Sequence, residues 1–241
     1  MKPRLLAALS GLFALGLAHS AAASAGDHQP VGAQPLPPVQ AQISYVSREV
    51  TPDGITQLHS YQESWIRDGN TLWSERQIPA SVVEAFHHHH DESKTPHKHF
   101  MYQMAARWVT RQANGELELN YVDRFHHNQV HYPATEYGQA GFEPNWSHLS
   151  QLFDPAQLAH FTPTGKTGEQ GAIWYQQQQA NQIIRVLWSE KLQLALEIER
   201  HTPDNNKQYH MTVKLQPSLP TPRPWQQLSG YEQKEISDFF D

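Results

Sequence analysis

The chain has 241 residues, a formal charge of −6 with histidine neutral, and no cysteine. The absence of cysteine excludes disulfides, thiolate metal sites and cysteine nucleophiles, so any metal must be held by histidine and carboxylate. The acidic balance argues against nucleic acid or an anionic membrane surface as the main partner.

The first 25 residues read as a cleavable signal peptide. Lys2 and Arg4 precede an apolar run, Leu5 to Leu17, and Ala23-Ser24-Ala25 is a small-residue cleavage site. The run is shorter than the ~20 apolar residues of a spanning helix. A leader carrying Lys2, Arg4 and no acid takes the charge from −6 to −8 when it leaves. With no cysteine to acylate, the expected product is exported, periplasmic and soluble, and not a lipoprotein. Residues 26–42 are rich in Pro and Gly and read as a flexible leader.

From Ile43 to Asp241 a single domain is expected. Ile43 to Val50 and Thr56 to Ile66 read as strands around the turn Pro52-Asp53-Gly54. Arg67-Asp68-Gly69-Asn70 reads as a second turn leading to a strand at Thr71 to Ile78. Phe100 to Thr110 fits helix and strand equally. Asn114-Gly115 marks a hairpin before Leu117, Leu119 and Tyr121, which alternate with polar residues as on a half-buried strand. Trp146, Leu149, Phe153, Leu158 and Phe161 form a helical stripe, broken where Asp154-Pro155 reads as an N-cap with proline at the first helical position. Ala172 to Gln178, Gln182 to Ser189, Gln193 to Arg200 and Gln208 to Leu215 are four further strands. The pattern predicts an α+β fold, an antiparallel sheet with inserted helices.

Nine of the sixteen histidines fall between Phe86 and His131. His97 and His99 would share one face of a strand, and His127 and His131 one face of a strand or helix. With Asp91, Glu92 or Asp123 they form a candidate site for Zn, Cu or Ni, and His87, His88, His89, His90 and Asp91 could collect ions for it. The alternatives are a solvated loop whose paired histidines pack strands, or a pH sensor, since histidines charge together near pH 6.5. No catalytic residue is assigned: His-Glu-x-x-His and Gly-x-Ser-x-Gly are both missing. Gly165-Lys166-Thr167 lacks the first glycine of a phosphate loop and reads as a surface turn.

The segment Ile183 to Glu199 (IIRVLWSEKLQLALEIE) resembles a hairpin of the periplasmic lipoprotein-carrier (LolA/LolB-like) superfamily. The ending Gly230-Tyr231, Ile236, Asp238-Phe239 is similar to the close of exported proteins with that fold. Ala195 departs from the pattern, standing where the family often has proline. The resemblance implies an unclosed, strongly curved antiparallel half-barrel, with helices packing in its concave face and an apolar hollow between them. Of the seven tryptophans, Trp65, Trp73, Trp108 and Trp188 are the candidates for lining such a hollow; core packing is the competing role for each. The expectation is a non-catalytic binding protein for a hydrophobic or lipid-type ligand. The alternatives are a histidine-rich metal binder, or an envelope sensor that engages an envelope protein.

Overall fold

The computed structural model describes residues 35–83 and 100–239. They form one twelve-stranded sheet: β1 Val39–Val50, β2 Thr56–Asp68, β3 Thr71–Arg76, β4 Ala106–Arg111, β5 Leu117–Asp123, β6 Asn128–Tyr132, β7 Thr162–Thr167, β8 Ile173–Gln179, β9 Gln182–Ser189, β10 Leu194–His201, β11 Lys207–Leu215 and β12 Glu232–Glu235. The spatial order is β12-β6-β5-β4-β3-β2-β1-β11-β10-β9-β8-β7. The sheet is curved and not closed into a barrel, and its two ends are different strands. Every neighbouring pair is antiparallel except β12 beside β6, which is parallel and makes the sheet mixed. The purely antiparallel expectation is corrected there: after β11 the chain crosses the sheet to reach its far edge.

Several boundaries also differ from the sequence reading. The first strand starts at Val39, inside the segment expected to be a flexible leader, because Val39, Ala41 and Ile43 alternate with glutamine and serine and bury one face. Residues 100–105 form turns and the strand begins only at Ala106, which resolves the ambiguity of that stretch. Strands β6, β7 and β12 are short or polar and had no legible pattern. The helix break is as expected. Helix α1, Trp146–Gln151, is capped by the Asn145 side chain, and a 3-10 turn, Pro155–His160, is capped by Asp154 with proline at its start. Gly54 and Gly69 take positive φ (82° and 59°), as their turns require.

The two faces of the sheet are covered differently. The inner, concave face carries the main core, in which Trp65, Leu72, Val109, Leu119 and Trp188 pack with Trp146 of α1. On the outer face Ile66, Trp73, Ala106 and Val122 are covered by Leu219, Trp225, Leu228 and Tyr231 of the chain that runs back to β12.

Arg67 ties the sheet to α1 on the inner side. It is fully buried, and its guanidinium donates to four backbone carbonyls: Pro37 (3.0 Å), Ser150 (2.6 Å), Leu192 (2.6 Å) and Gln193 (3.0 Å). Those acceptors come from the lead into β1, the end of α1 and the β9–β10 turn. Two left-handed residues, Leu152 (φ 60°) after α1 and Gln193 (φ 48°), turn the chain there. Burial lowers the Arg67 pKa to about 10, which leaves it cationic at neutral pH. The expectation of a turn residue at position 67 is thus corrected: it closes β2. Arg67→Met would leave one buried and three half-buried carbonyls without this donor, at a cost of about 3 kcal/mol. Thermal unfolding followed by circular dichroism should show Tm falling by roughly 6–12 °C, with Arg67→Lys recovering only part of it.

Candidate ligand site on the concave face

Away from α1, the inner face carries a row of aromatic and cationic side chains. Cross-strand register places Tyr45 of β1 opposite Tyr61 of β2 and Met211 of β11, and Ser47 opposite Tyr209 of β11. Residues directly opposite share a face, so Tyr45, Tyr61 and Tyr209 all point inward with Ile43 and Met211. Tyr45 and Tyr61 stack with centroids 4.6 Å apart and planes inclined by 22°. Arg76, at the end of β3, lies 4.2 Å over the Tyr61 ring, and Arg200 of β10 lies 5.5 Å from that of Tyr209. The result is a continuous row across five strands: Arg76, Tyr61, Tyr45, Tyr209, Arg200.

The electrostatics of the row are one-sided. Its carboxylate, Glu63, accepts a 2.7 Å hydrogen bond from the Tyr45 hydroxyl. Burial pushes the Tyr45 phenol well up, and Glu63 adds to the effect. Burial likewise pushes Tyr209 up to about 12. Tyr61 is raised by burial and by Glu63, while Arg76 and Arg107 oppose the rise. Arg107 belongs to the same face, since its register partners are Ser74 and Tyr121. His148 on α1 remains solvent-exposed, yet desolvation of its ring lowers its pKa; Arg107 and Arg200 push the same way, while Glu143 and Asp154 oppose. Elsewhere arginines are matched to acids: Arg124 with Glu75 (2.6 Å), Arg185 with Glu199 (3.4 Å), Arg223 with Asp68 (2.8 Å). Arg76, Arg107 and Arg200 have no carboxylate partner among the described residues, and the buried Arg200 Nε has no hydrogen-bond acceptor there.

Next to the row an open groove of about 580 Å³ is bounded by Ser60, Tyr61, Gln62, Arg76, Gln77, Ile78 and Pro79. It exists because β3 pairs with β2 only over residues 63–68, while β2 runs back to Thr56 with β1 as its partner. Its size falls within the range of small-molecule sites. At the other end of the face, α1 fills the hollow. Trp65, Leu72, Val109 and Leu149 close around about 10 Å³, room for roughly one water.

The four candidate tryptophans do not come together. Trp65 and Trp188 are buried in the inner core, whereas Trp73 and Trp108 belong to the outer face. The Trp108 Nε1 is buried there without a hydrogen-bond partner among the described residues. Of the metal candidates, His87, His88, His89, His90, Asp91, His97 and His99 lie outside the described residues. His127 sits in the β5–β6 turn (φ 53°) with its ring 5.1 Å from that of Tyr231. His131 lies in β6 between Asn120 and Glu235. These two do not join a group of three ligands among the described residues. The group that does form is Glu197, Glu199 and His210, whose ligand atoms all lie within 4.8 Å of one another. Neither that triad nor the tyrosine row was singled out from sequence. The signal was available in the strand alternation: Tyr45 falls two residues from the core residue Ile43, Tyr209 two from Met211, and Tyr61 four from Trp65. Gly165-Lys166-Thr167 lies in the exposed edge strand β7, not at a helix N-terminus.

No protein-family model matches the chain, and no curated protein matches it. Solved structures similar to it include PNGF-II (14% identity, TM-score 0.35), with 83% of this chain matched to 33% of that one. Another is the MucA/MucB complex of Pseudomonas aeruginosa, at 12% identity and TM-score 0.32, covering 78% of this chain and 55% of that one. A third is an outer membrane lipoprotein-sorting protein domain from Vibrio parahaemolyticus, at 8% identity and TM-score 0.30, covering 76% and 87% respectively. The chain thus spans a third of PNGF-II and about half of the MucA/MucB match. All three TM-scores lie below 0.5 and carry no weight on function.

The raised phenols fix the sign of the alkaline response. A neutral acid whose folded pKa is raised stabilises the fold fully below its unfolded pKa, near 10, and loses that stabilisation as pH rises through the folded value. For Tyr209 the window runs from about 10 to about 12, and Tyr45, Tyr61, Tyr121 and Tyr132 act in the same direction. Arg67, lowered by burial, works oppositely but as a single group. Tm should therefore fall between pH 10 and 12, and Tyr209→Phe should flatten the fall; an unchanged slope in that variant would contradict the burial of the row.

Proposed function

We propose that this protein is a non-catalytic binding protein of the cell envelope that holds a hydrophobic, lipid-type ligand against the concave face of its sheet. The observation that carries the reading is the tyrosine row beside a groove of about 580 Å³, on a face that α1 covers at one end only. Tyrosine rings offer apolar area with a polar tip, suited to a ligand part chain and part headgroup. With raised pKa values, the phenols of Tyr45, Tyr61 and Tyr209 stay protonated at neutral pH, which favours holding over nucleophilic chemistry. Export rests on the leader at residues 1–25; among the described residues no helix is long and apolar enough to cross a membrane. An envelope protein docking on the same groove is the competing partner.

A second reading, divalent-metal binding, is favoured by the Glu197–Glu199–His210 triad. Its members project from adjacent strands, with His210 opposite Glu199 in register and its Nε2 2.6 Å from Glu197 Oε1. Two carboxylates and an imidazole suit zinc, with one position left open. The histidine pairs His97/His99 and His127/His131 remain proposals for the same role.

Native mass spectrometry of the untagged protein, isolated without chelator or nickel resin, separates these readings. An adduct of lipid mass, lost in Tyr61→Ala together with Tyr209→Ala, is the expected outcome. A one-ion adduct abolished by Glu197→Gln with His210→Ala would make the metal reading primary, and one abolished by His97→Ala with His99→Ala would move the site to the histidine tract.

A further inference from the structure

The three arginines of the concave face describe the ligand more closely. The chain is acidic overall, yet Arg76, Arg107 and Arg200 lie on one face without a carboxylate partner among the described residues, while Glu63 there is engaged by Tyr45 and Glu49 by Lys207. Arg76 is exposed, but Arg107 and Arg200 are half-buried; leaving such guanidiniums without a counter-charge is costly, and folded proteins usually pair or hydrogen-bond them. This chain does so at Arg67, Arg124, Arg185 and Arg223. The buried Nε of Arg200, which has no acceptor among the described residues, is a second observation that favours an anionic ligand. The surroundings are apolar: Arg76 lies over Tyr61, Arg200 lies beside Tyr209, and Ile43, Ile198 and Met211 are buried on the same face. A guanidinium in such a setting binds carboxylate or phosphate with charge-assisted hydrogen bonds, while the rings cover a chain.

We infer that the ligand is an anionic amphiphile, its carboxylate or phosphate taken by Arg200 and its chain laid along Tyr209, Tyr45 and Tyr61 toward Arg76 and the groove. This rests on the proposed function above and adds the charge, the orientation and the residues that read them. Arg200 anchors the headgroup because its buried Nε has no acceptor among the described residues; Arg107 and Arg76, on the neighbouring strands β4 and β3, stand across the row from it. Arg76 stands at the groove end, at the far side of the row.

The test uses a fluorescent polyene fatty acid, its methyl ester and inorganic phosphate as three probes of the full mature chain. The acid should bind, the ester should bind at least tenfold more weakly, and phosphate alone should bind weakly. Arg200→Gln should weaken the acid by roughly tenfold, about the worth of one charge-assisted hydrogen bond, and leave the ester unchanged. Arg48→Gln, whose guanidinium reaches only the Asn205 carbonyl on the rim, is the charge-matched control and should change neither. Equal binding of acid and ester, unaffected by Arg200→Gln, would overturn the anion inference and leave the lipid-type ligand standing. Failure of both fatty probes would overturn the two together. Phosphate binding as tight as that of the acid would assign the arginines to a free anion and overturn the amphiphile.

Discussion

One buried guanidinium holds the architecture in place. Arg67 ends the β2 segment that pairs with β3, and its four carbonyl acceptors belong to three pieces of chain distant in sequence. A charge in that position requires the lead into β1, the end of α1 and the β9–β10 turn to meet around it, since each missing acceptor leaves part of a desolvated cation unsatisfied. The clamp therefore fixes where α1 sits. Because α1 sits at that end, the hollow is filled by Trp146 and Leu149 there and left open over the tyrosine row.

The site is a consequence of unequal strand lengths. β1 and β2 run twelve and thirteen residues, while β3 stops after six. Their far halves project past the helical cover and carry Tyr45 and Tyr61 on a concave surface with a groove at its edge. Across the sheet β10 and β11 supply Arg200 and Tyr209 in register. Length mismatch makes the space, and the alternation of side chains decides what faces it.

Much of the sheet was legible because strand signals are local. The Gly54 and Gly69 turns, the alternation at Leu117, Leu119 and Tyr121, and the Asp154 cap each depend on a few neighbouring residues. What was not legible depends on distant partners. Arg67 sits in an Arg-Asp-Gly-Asn string that reads as a turn, and only its carbonyl partners reveal a buried strand residue. Trp65 and Trp73 lie eight residues apart on successive strands and face opposite sides, which composition cannot show. The β12 strand has the sequence Glu-Gln-Lys-Glu, and it becomes a strand by pairing with β6 rather than by propensity. The site was hidden for the same reason: its five members come from five strands.

The most direct test of the central claim is a crystal structure of the protein purified from cells without added lipid or chelator. The account predicts continuous density along Tyr209, Tyr45 and Tyr61, ending in an anionic group within hydrogen-bond distance of Arg200. Arg76, Arg107 and Arg200 all paired with carboxylates of the chain itself, with ordered water over the tyrosine row, would contradict it.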